Sequence, residues 1–238
     1  MLKSRLLFPT IVLLAAAGIG AFYLVKWLNK PKEILTPMDP GKPRVRATIE
    51  VPGIRFTDVT GPSGIAFKHI NGATPNKLLP ETMGGGVAVF DFDGDGLPDI
   101  LFTNGRRWPT PFKDGAKLPT MALYRNKGNF TFEDATAGSG LDVPMYGMGV
   151  AIGDYDNDGR PDVFVSCIGK HHLFRNIDGK RFEDTSAVAG VGGPVDLPAD
   201  GGMDFDKWKP PIPFGSSCTF LDCDGDGRLD LFVCHYVT

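Results

Sequence analysis

Short apolar and β-branched runs separated by polar segments rich in glycine and proline recur along residues 54–238. Runs of this kind are typical of strands. Residues 149–152 and 163–165, for example, lie on either side of one polar loop. This order favours two antiparallel strands joined by a hairpin over two helices. The pattern therefore predicts an all-β region of short antiparallel strands.

The polar loops share a nine-residue pattern, D-x-D-x-D-G-x-x-D, which begins at Asp91, Asp154 and Asp222. Carboxylates at positions 1, 3, 5 and 9, with the carbonyl of position 7, suit a hard cation that takes about six to eight oxygens. The glycine at position 6 allows the tight turn that brings them together. We predict about three Ca²⁺ ions, bound by Asp91, Asp93, Asp95, Leu97 and Asp99, by Asp154, Asp156, Asp158, Arg160 and Asp162, and by Asp222, Asp224, Asp226, Arg228 and Asp230.

Two alternatives share this spacing. An EF-hand needs a bidentate glutamate at position 12 and a helix on each side, whereas position 12 is Phe102, Val165 and Val233. The other alternative is a set of Asp-Gly hairpin turns that bind no metal. We favour calcium because four carboxylates in each of three loops would repel one another strongly without a cation.

A second motif, F-x-D-x-[TS]-x-x-x-G, begins at Phe56, Phe132 and Phe182, and L-[YF]-R-N precedes its second and third copies at Leu123 and Leu173. One unit thus has four short strands, and repeats on this scale predict the blades of a β-propeller. The third unit lacks its last two strands before residue 238. We therefore expect about three blades in an incomplete ring, from a longer protein or an open fragment with an exposed edge.

The N-terminal segment differs from the rest of the chain. Residues 6–25 are uncharged and mostly apolar, and a helix of this length spans a bilayer. We predict a signal anchor or transmembrane helix over 1–26, a Pro-rich linker over 27–53 and the propeller region over 54–238. The alternative is a cleaved signal peptide with residues 6–14 as its apolar part and 15–17 as its cleavage site.

The calcium loops suggest where the body of the protein resides. Cytosolic free calcium is generally too low for loops of ordinary affinity, so we expect an extracytoplasmic location, periplasmic or at the cell surface. The N-terminal helix would then hold the protein in the membrane; after cleavage it would be secreted.

Charge and cysteine content remove several classes of function. The net charge is −3, and the twelve aspartates of the three loops more than account for it. No basic run suggests nucleic acid as a partner. The four cysteines form no C-x-x-C, which argues against zinc or thioredoxin-like chemistry. Cys218 and Cys234 are equidistant from Asp226, so a symmetric hairpin would allow a disulfide; we favour buried thiols in β-strands over this bridge.

Signals for catalysis are weak. The chain has no G-x-S-x-G, P-loop, H-E-x-x-H or dinucleotide-binding motif. His171 and His172 are adjacent, so on a strand they would point to opposite faces. We expect His69 to be structural or exposed at an edge. The recurring aspartate of F-x-D is expected to cap a turn at Asp58, Asp134 and Asp184.

Together these motifs resemble the FG-GAP/VCBS repeats, the calcium-loop blades also found in integrin α-subunit propellers. The opening segment is similar to the cartilage acidic protein-like (ASPIC/UnbV) family, on residues 56–60, 63–69 and the run L-P-E-T-M-G-G-G-V-A at 79–88. The resemblance implies an exported, calcium-binding propeller for recognition or adhesion, without a well-defined catalytic activity. The further C-terminal domain typical of bacterial members is not present in this sequence, so its function cannot be transferred.

We therefore expect a non-catalytic, calcium-binding, extracytoplasmic β-propeller module that binds a protein or glycan partner. One alternative is an exported enzyme whose catalytic residues lie in a missing C-terminal domain or in the insertions at 106–120 and 192–214, around Trp108 and Trp208. Another is a purely structural envelope component.

Overall fold

Hydrogen bonds between neighbouring strands organise the described residues into two four-stranded antiparallel sheets and one two-stranded hairpin. The computed structural model describes residues 53, 55–73, 77, 79–106, 118–193 and 213–236. The predicted anchor and nearly all of the predicted linker lie outside these residues and stay predictions. No helix within the described ranges is long and apolar enough to cross a membrane.

The two sheets repeat one strand order, and the hairpin begins a third copy. The first sheet contains β1 (Val87–Phe90), β2 (Asp99–Phe102), β3 (Ala122–Asn126) and β4 (Phe132–Asp134). The second contains β5 (Gly147–Gly153), β6 (Asp162–Cys167), β7 (His172–Asn176) and β8 (Phe182–Asp184), and β9 (Gly215–Leu221) pairs with β10 (Asp230–His235). Helices are short: α1 (Thr60–Ser63), a 3₁₀ turn (Leu79–Thr82) and α2 (Ser186–Ala189). The predicted four-strand antiparallel unit is confirmed.

The registers of the two sheets match residue for residue. In the first sheet Tyr124 lies opposite Asp134, and in the second Phe174 lies opposite Asp184. Each Asp loop joins the first two strands of its unit, and each turn after L-[YF]-R-N joins the last two. Equivalent positions of the two units can therefore be compared directly.

Consecutive units pack through their first strands, which approach closely at glycine. A Cβ atom on Gly86 would lie 2.8 Å from the carbonyl oxygen of Met148, and one on Gly149 would lie 2.8 Å from Ser217 Cα. Real side chains do not tolerate such distances, so glycine is required at both joints. Between the two sheets lies a core of buried apolar residues, including Phe90, Leu101, Leu123, Val163, Val165 and Phe174.

The outer face of the first sheet is covered only in part by the described residues: Phe67 stacks on Phe102 of β2, whereas the outer face of β1 is exposed. Val150 and Ile152 of β5 pack against the core. Their counterparts Val87 and Val89 of β1 are 57% and 63% exposed. Because side chains alternate along a strand, these two valines point away from the second sheet.

The register of the third hairpin differs from the symmetric one on which the disulfide depended. Cys218 lies opposite Val233, and Cys234 lies opposite Ser217. A shift of one residue places the two thiols on opposite faces of the hairpin. The cysteines at 167, 218, 223 and 234 are all free thiols, as favoured from the sequence, but of the four only Cys167 is fully buried; the alternative disulfide is not formed.

Candidate metal centres

Each Asp loop is closed by the carboxylate at its first position. Asp91 Oδ2 accepts the N–H of Gly96 at 2.8 Å, Asp154 Oδ2 accepts that of Gly159 at 2.8 Å, and Asp222 Oδ2 accepts that of Gly227 at 2.9 Å. Further N–H groups of positions 4 and 5 donate to Oδ1 of the same carboxylates. One side chain thus gathers successive backbone amides, which determines the path of the loop.

Two residues in each loop adopt the left-handed backbone conformation. The glycines of position 6 have φ near 84°, with values of 84°, 85° and 83° for Gly96, Gly159 and Gly227. Position 4 is also left-handed, at Gly94, Asn157 and Gly225. Glycine and asparagine tolerate this conformation best. The restriction at position 4 was missed from sequence, although its Gly-Asn-Gly pattern carried the signal.

The loops bring together the carboxylates of positions 1, 3 and 9. In each loop these three residues offer oxygens that all lie within 4.8 Å of one another. The groups are Asp91, Asp93 and Asp99; Asp154, Asp156 and Asp162; and Asp222, Asp224 and Asp230. Each acidic cluster could therefore bind a metal ion, and carboxylate oxygens are the donors that Ca²⁺ prefers.

The carboxylate at position 9 is buried in the first two loops. Asp99 and Asp162 have no exposed surface. Asp162 accepts the N–H of Asn176 at 2.7 Å and that of Tyr155 at 3.1 Å. Burial, together with the charges of Asp156 and Asp158, raises the pKa of Asp162 to about 6. Burial also raises the pKa of Asp99.

The carboxylate at position 5 pairs with arginine in the first two loops, and its role as a calcium ligand stays a prediction. Asp95 Oδ2 lies 3.1 Å from Arg125 Nη2, and Asp158 Oδ2 lies 3.2 Å from Arg175 Nη2. Arg160 also pairs with Asp158. The carboxylates of position 5 are not among the three gathered residues. In the first two loops their negative charge is therefore balanced by arginine.

Those arginines also reach position 3. Arg125 Nη2 lies 2.6 Å from Asp93 Oδ2, and Arg175 Nε lies 2.5 Å from Asp156 Oδ2. Both arginines belong to L-[YF]-R-N, which sequence reasoning had assigned only to a strand. Its recurrence in step with the Asp loop was the signal that could have linked the two.

The asparagines of the same motif connect the loop to its sheet and to the neighbouring unit. The backbone N–H groups of Asn126 and Asn176 each donate to the position-9 carboxylate at 2.7 Å. The side-chain amide of Asn176 also donates to the carbonyl of Phe92, in the first loop, at 2.9 Å. The first two loops are therefore physically joined.

The residues of position 7 help to close each loop through their backbone N–H groups. The N–H groups of Leu97, Arg160 and Arg228 donate to Oδ1 of the position-5 aspartate at 2.9, 3.0 and 2.8 Å. The role of their carbonyls as calcium ligands stays a prediction.

The histidines make separate contacts rather than one site. His171 Nδ1 accepts the N–H of Cys167 at 3.0 Å, and its Nε2 lies 3.1 Å from His235 Nε2. His172 Nδ1 lies 2.8 Å from Asp184 Oδ2. Ser186 donates to Asp184 rather than to the imidazole of His172. These three residues therefore lack the contact between nucleophile and base that a hydrolase needs. His69 is half-buried against Gly85.

The aspartates of F-x-D cap turns, as predicted. Asp58, Asp134 and Asp184 each accept, through Oδ1, the N–H two residues further on at 2.9 Å. This repeated contact accounts for their recurrence without assigning them any chemistry.

Comparison with known proteins identifies the class of repeat. Residues 91–165 match the FG-GAP-like repeat family. This region includes the first two Asp loops and β2 to β5 in full. The match confirms the predicted resemblance to FG-GAP repeats.

The chain is also similar to cartilage acidic protein 1 from three vertebrates. It is 32% identical to the Homo sapiens protein over 126 residues, 36% to that of Xenopus tropicalis over 119 and 40% to that of Mus musculus over 111. These alignments cover 51%, 48% and 44% of this chain but only 16%, 16% and 15% of the relatives. The resemblance to cartilage acidic protein-like (ASPIC/UnbV) proteins is confirmed for about half of the chain.

Proposed function

We propose that this chain is a non-catalytic, calcium-binding, extracytoplasmic β-propeller module that recognises a protein or glycan partner. The observation that carries the proposal is the convergence of three carboxylates, from positions 1, 3 and 9, in each of three loops. The likeness to FG-GAP repeats and to cartilage acidic protein 1 supports a recognition module rather than an enzyme.

The donor set fits calcium. Carboxylate oxygens within 4.8 Å of one another can contact one ion at about 2.3–2.6 Å. Burial opposes ionisation of Asp162, and a divalent cation beside it would favour the charged form. The ions would bind at positions 1, 3 and 9, with further oxygens from positions 5 and 7, and would tie each loop to its sheet.

The propeller proposal rests on the way the units stack. Val150 and Ile152 of the second unit are covered by the first sheet, whereas Val87 and Val89 occupy the same positions of the first unit and are exposed. A further unit on this outer face would bury them.

Phe56 supports the same arrangement. It begins a copy of the motif that forms β4 and β8, yet it lies in no strand and is 93% exposed. A third strand from another unit would give residues 56–58 the same pairing that β4 and β8 have. We therefore propose that the units described here are consecutive blades of a propeller.

The N-terminal segment bears on where the module is located. We propose the predicted order of membrane helix at 1–26, linker at 27–53 and propeller region at 54–238, which would keep the module outside the cytoplasm and attached to the membrane. Connectivity supports a binding surface away from the calcium loops. The insertion between β2 and β3, and the one after α2, join strand ends opposite those that carry the Asp loops.

A calcium titration of the 238-residue chain tests the proposal. Calorimetry and thermal unfolding, each against a chelator control, should show about three ions. Each ion at 100 times its Kd would add about 2.7 kcal/mol of stability. Asp154→Ala should remove one site, and Asp158→Ala should only weaken it, because Asp158 is held by arginine. Glu183→Gln, an exposed carboxylate outside the loops, is the matched control.

The opposite outcome is equally clear. If calcium neither binds nor raises the melting temperature, the loops are metal-free Asp-Gly turns, closed by their own hydrogen bonds. An extracytoplasmic location would then no longer be supported by calcium binding.

A further inference from the structure

A cavity of about 560 Å³ lies beside β3 of the first unit. Its lining includes Phe67, Ala122, Tyr124, Asp134, Asp142 and Lys68. The lining residues thus include two aspartates, one lysine and two aromatic residues. The cavity is separate from the Asp loops and takes no part in the calcium sites proposed above.

The second unit shows how the same place is filled there. Ala122 and His172 are equivalent, since each lies one residue before its L-[YF]-R-N motif, opposite Phe102 in one sheet and Val165 in the other. The imidazole of His172 stacks on Phe174, with ring centroids 5.6 Å apart and planes 12° from parallel. Its Nδ1 lies 2.8 Å from Asp184 Oδ2.

The first unit retains the surroundings of that imidazole but lacks the ring. Tyr124 replaces Phe174, and Asp134 replaces Asp184 in the same register. Asp134 Oδ1 accepts the N–H of Thr136 at 2.9 Å, as Asp184 Oδ1 accepts that of Ser186. Because residue 122 is alanine, Oδ2 of Asp134 lacks the partner that Asp184 has.

The walls of the cavity suit a flat cation. Phe67 stacks on Phe102 with ring centroids 4.7 Å apart, and Phe102 meets Tyr124 edge to face. These contacts hold the aromatic wall in place. A planar cation gains from an aromatic ring and from a carboxylate on the same site. Asp134 and Asp142 outnumber Lys68, so the local charge also favours a cation.

We propose that this cavity binds a planar basic side chain, an imidazolium or a guanidinium, presented by a partner protein. The bound group lies over Ala122, against Tyr124, and pairs with Asp134, as His172 does with Phe174 and Asp184. The inference relies on the proposed recognition function for its biological meaning and is independent of calcium.

Imidazole is a suitable probe of the 238-residue chain at pH 6, where it is mainly protonated. Three alanines, Ala66, Ala122 and Ala137, line the cavity, so their ¹³C-labelled methyl groups report occupancy by NMR. We expect saturable shifts with a Kd on the order of 10 mM, as befits a ligand of five heavy atoms. Sodium chloride at equal ionic strength should not produce them.

Two variants test the assigned contacts. Ala122→His should place an imidazole in the cavity, abolish the shifts of Ala66 and Ala137, and raise the melting temperature. Asp134→Asn should keep the cavity but weaken probe binding by about ten-fold, because the charge partner is lost.

His172→Ala is the matched control in the second unit. It should open an equivalent cavity, lower the melting temperature and recover part of the loss when imidazole is added. If imidazole rescues His172→Ala but does not shift the alanine methyl groups of the first unit, the proposal is wrong. It is equally wrong if Ala122→His leaves probe binding intact. Failure of calcium binding would leave these shifts unchanged, so the two proposals fail separately.

Discussion

The second and third Asp loops have the same sequence pattern and the same internal closure, yet their last carboxylates lie in opposite environments. Asp162 is fully buried, and its pKa is raised to about 6 by burial and by neighbouring aspartates. Asp230 is exposed, and its pKa is lowered by hydrogen bonds from the thiol and the N–H of Cys223. The difference does not originate in the loop itself.

The strand that carries L-[YF]-R-N causes the difference. In the second unit β7 covers Asp162, donates the N–H of Asn176 to it and supplies Arg175 to Asp156 and Asp158. The third hairpin pairs with no further strand among the described residues. The loop motif therefore arranges the carboxylates. The third strand of the unit buries the carboxylate of position 9 and pairs those of positions 3 and 5 with arginine.

The largest expected effect tests this burial. Asp162→Ala leaves the buried N–H of Asn176 and the half-buried N–H of Tyr155 without an acceptor, and should lower the free energy of unfolding by roughly 3–5 kcal/mol. Asp230→Ala, the matched change in the third loop, should cost little, because water replaces the carboxylate. Urea denaturation in chelator measures both. Equal losses of stability in the two variants would contradict the role assigned to the third strand.

A second prediction concerns the contact that joins the second unit to the third hairpin. Burial, with the neighbouring His235 and His172, lowers the pKa of His171 to about 4. Because the pKa is lower in the folded state than in the unfolded state, the contribution of His171 is complete above about pH 6.5. It is lost as the pH falls towards 4, by about 3 kcal/mol in total.

The measurement compares the wild-type protein with His171→Gln across pH 4 to 7 in chelator. Asp162 opposes the trend, since a carboxyl whose folded pKa is raised destabilises the protein as the pH rises through that value. Both proteins contain Asp162, so its contribution cancels when their free energies of unfolding are subtracted at each pH. Parallel pH profiles would show that His171 does not titrate as the structure indicates.

The smallest expected effect concerns the arginine of the second loop. Arg175 places a positive charge on Asp156 and Asp158, which opposes a divalent cation. Arg175→Gln should therefore tighten calcium binding at the second loop by roughly three- to ten-fold, and lower the stability of the calcium-free protein. In calorimetry, the second-loop site is recognised as the one that disappears in the Asp154→Ala variant. Arg181→Gln, with the same change in net charge, should leave the affinity unchanged; weaker binding in Arg175→Gln would reverse this interpretation.

The repeated local structure follows from the amino-acid sequence alone. The Asp loop, the turn-capping aspartates of F-x-D and the four-strand order all involve partners a few residues apart or in adjacent strands, and all are confirmed. A backbone with left-handed glycine at position 6 and a carboxylate at position 1 closes on itself regardless of its surroundings.

Contacts between side chains of different strands and units could not be predicted in this way. The pairing of Arg125 with Asp93, the burial of Asp162 and the separation of Cys218 from Cys234 each depend on register or on stacking. A shift of one residue moves a strand side chain to the other face, and the sequence pattern did not determine that shift. The two units also differ at one pair of equivalent positions: His172 Nδ1 lies 2.8 Å from Asp184 Oδ2, whereas Ala122 lines a cavity.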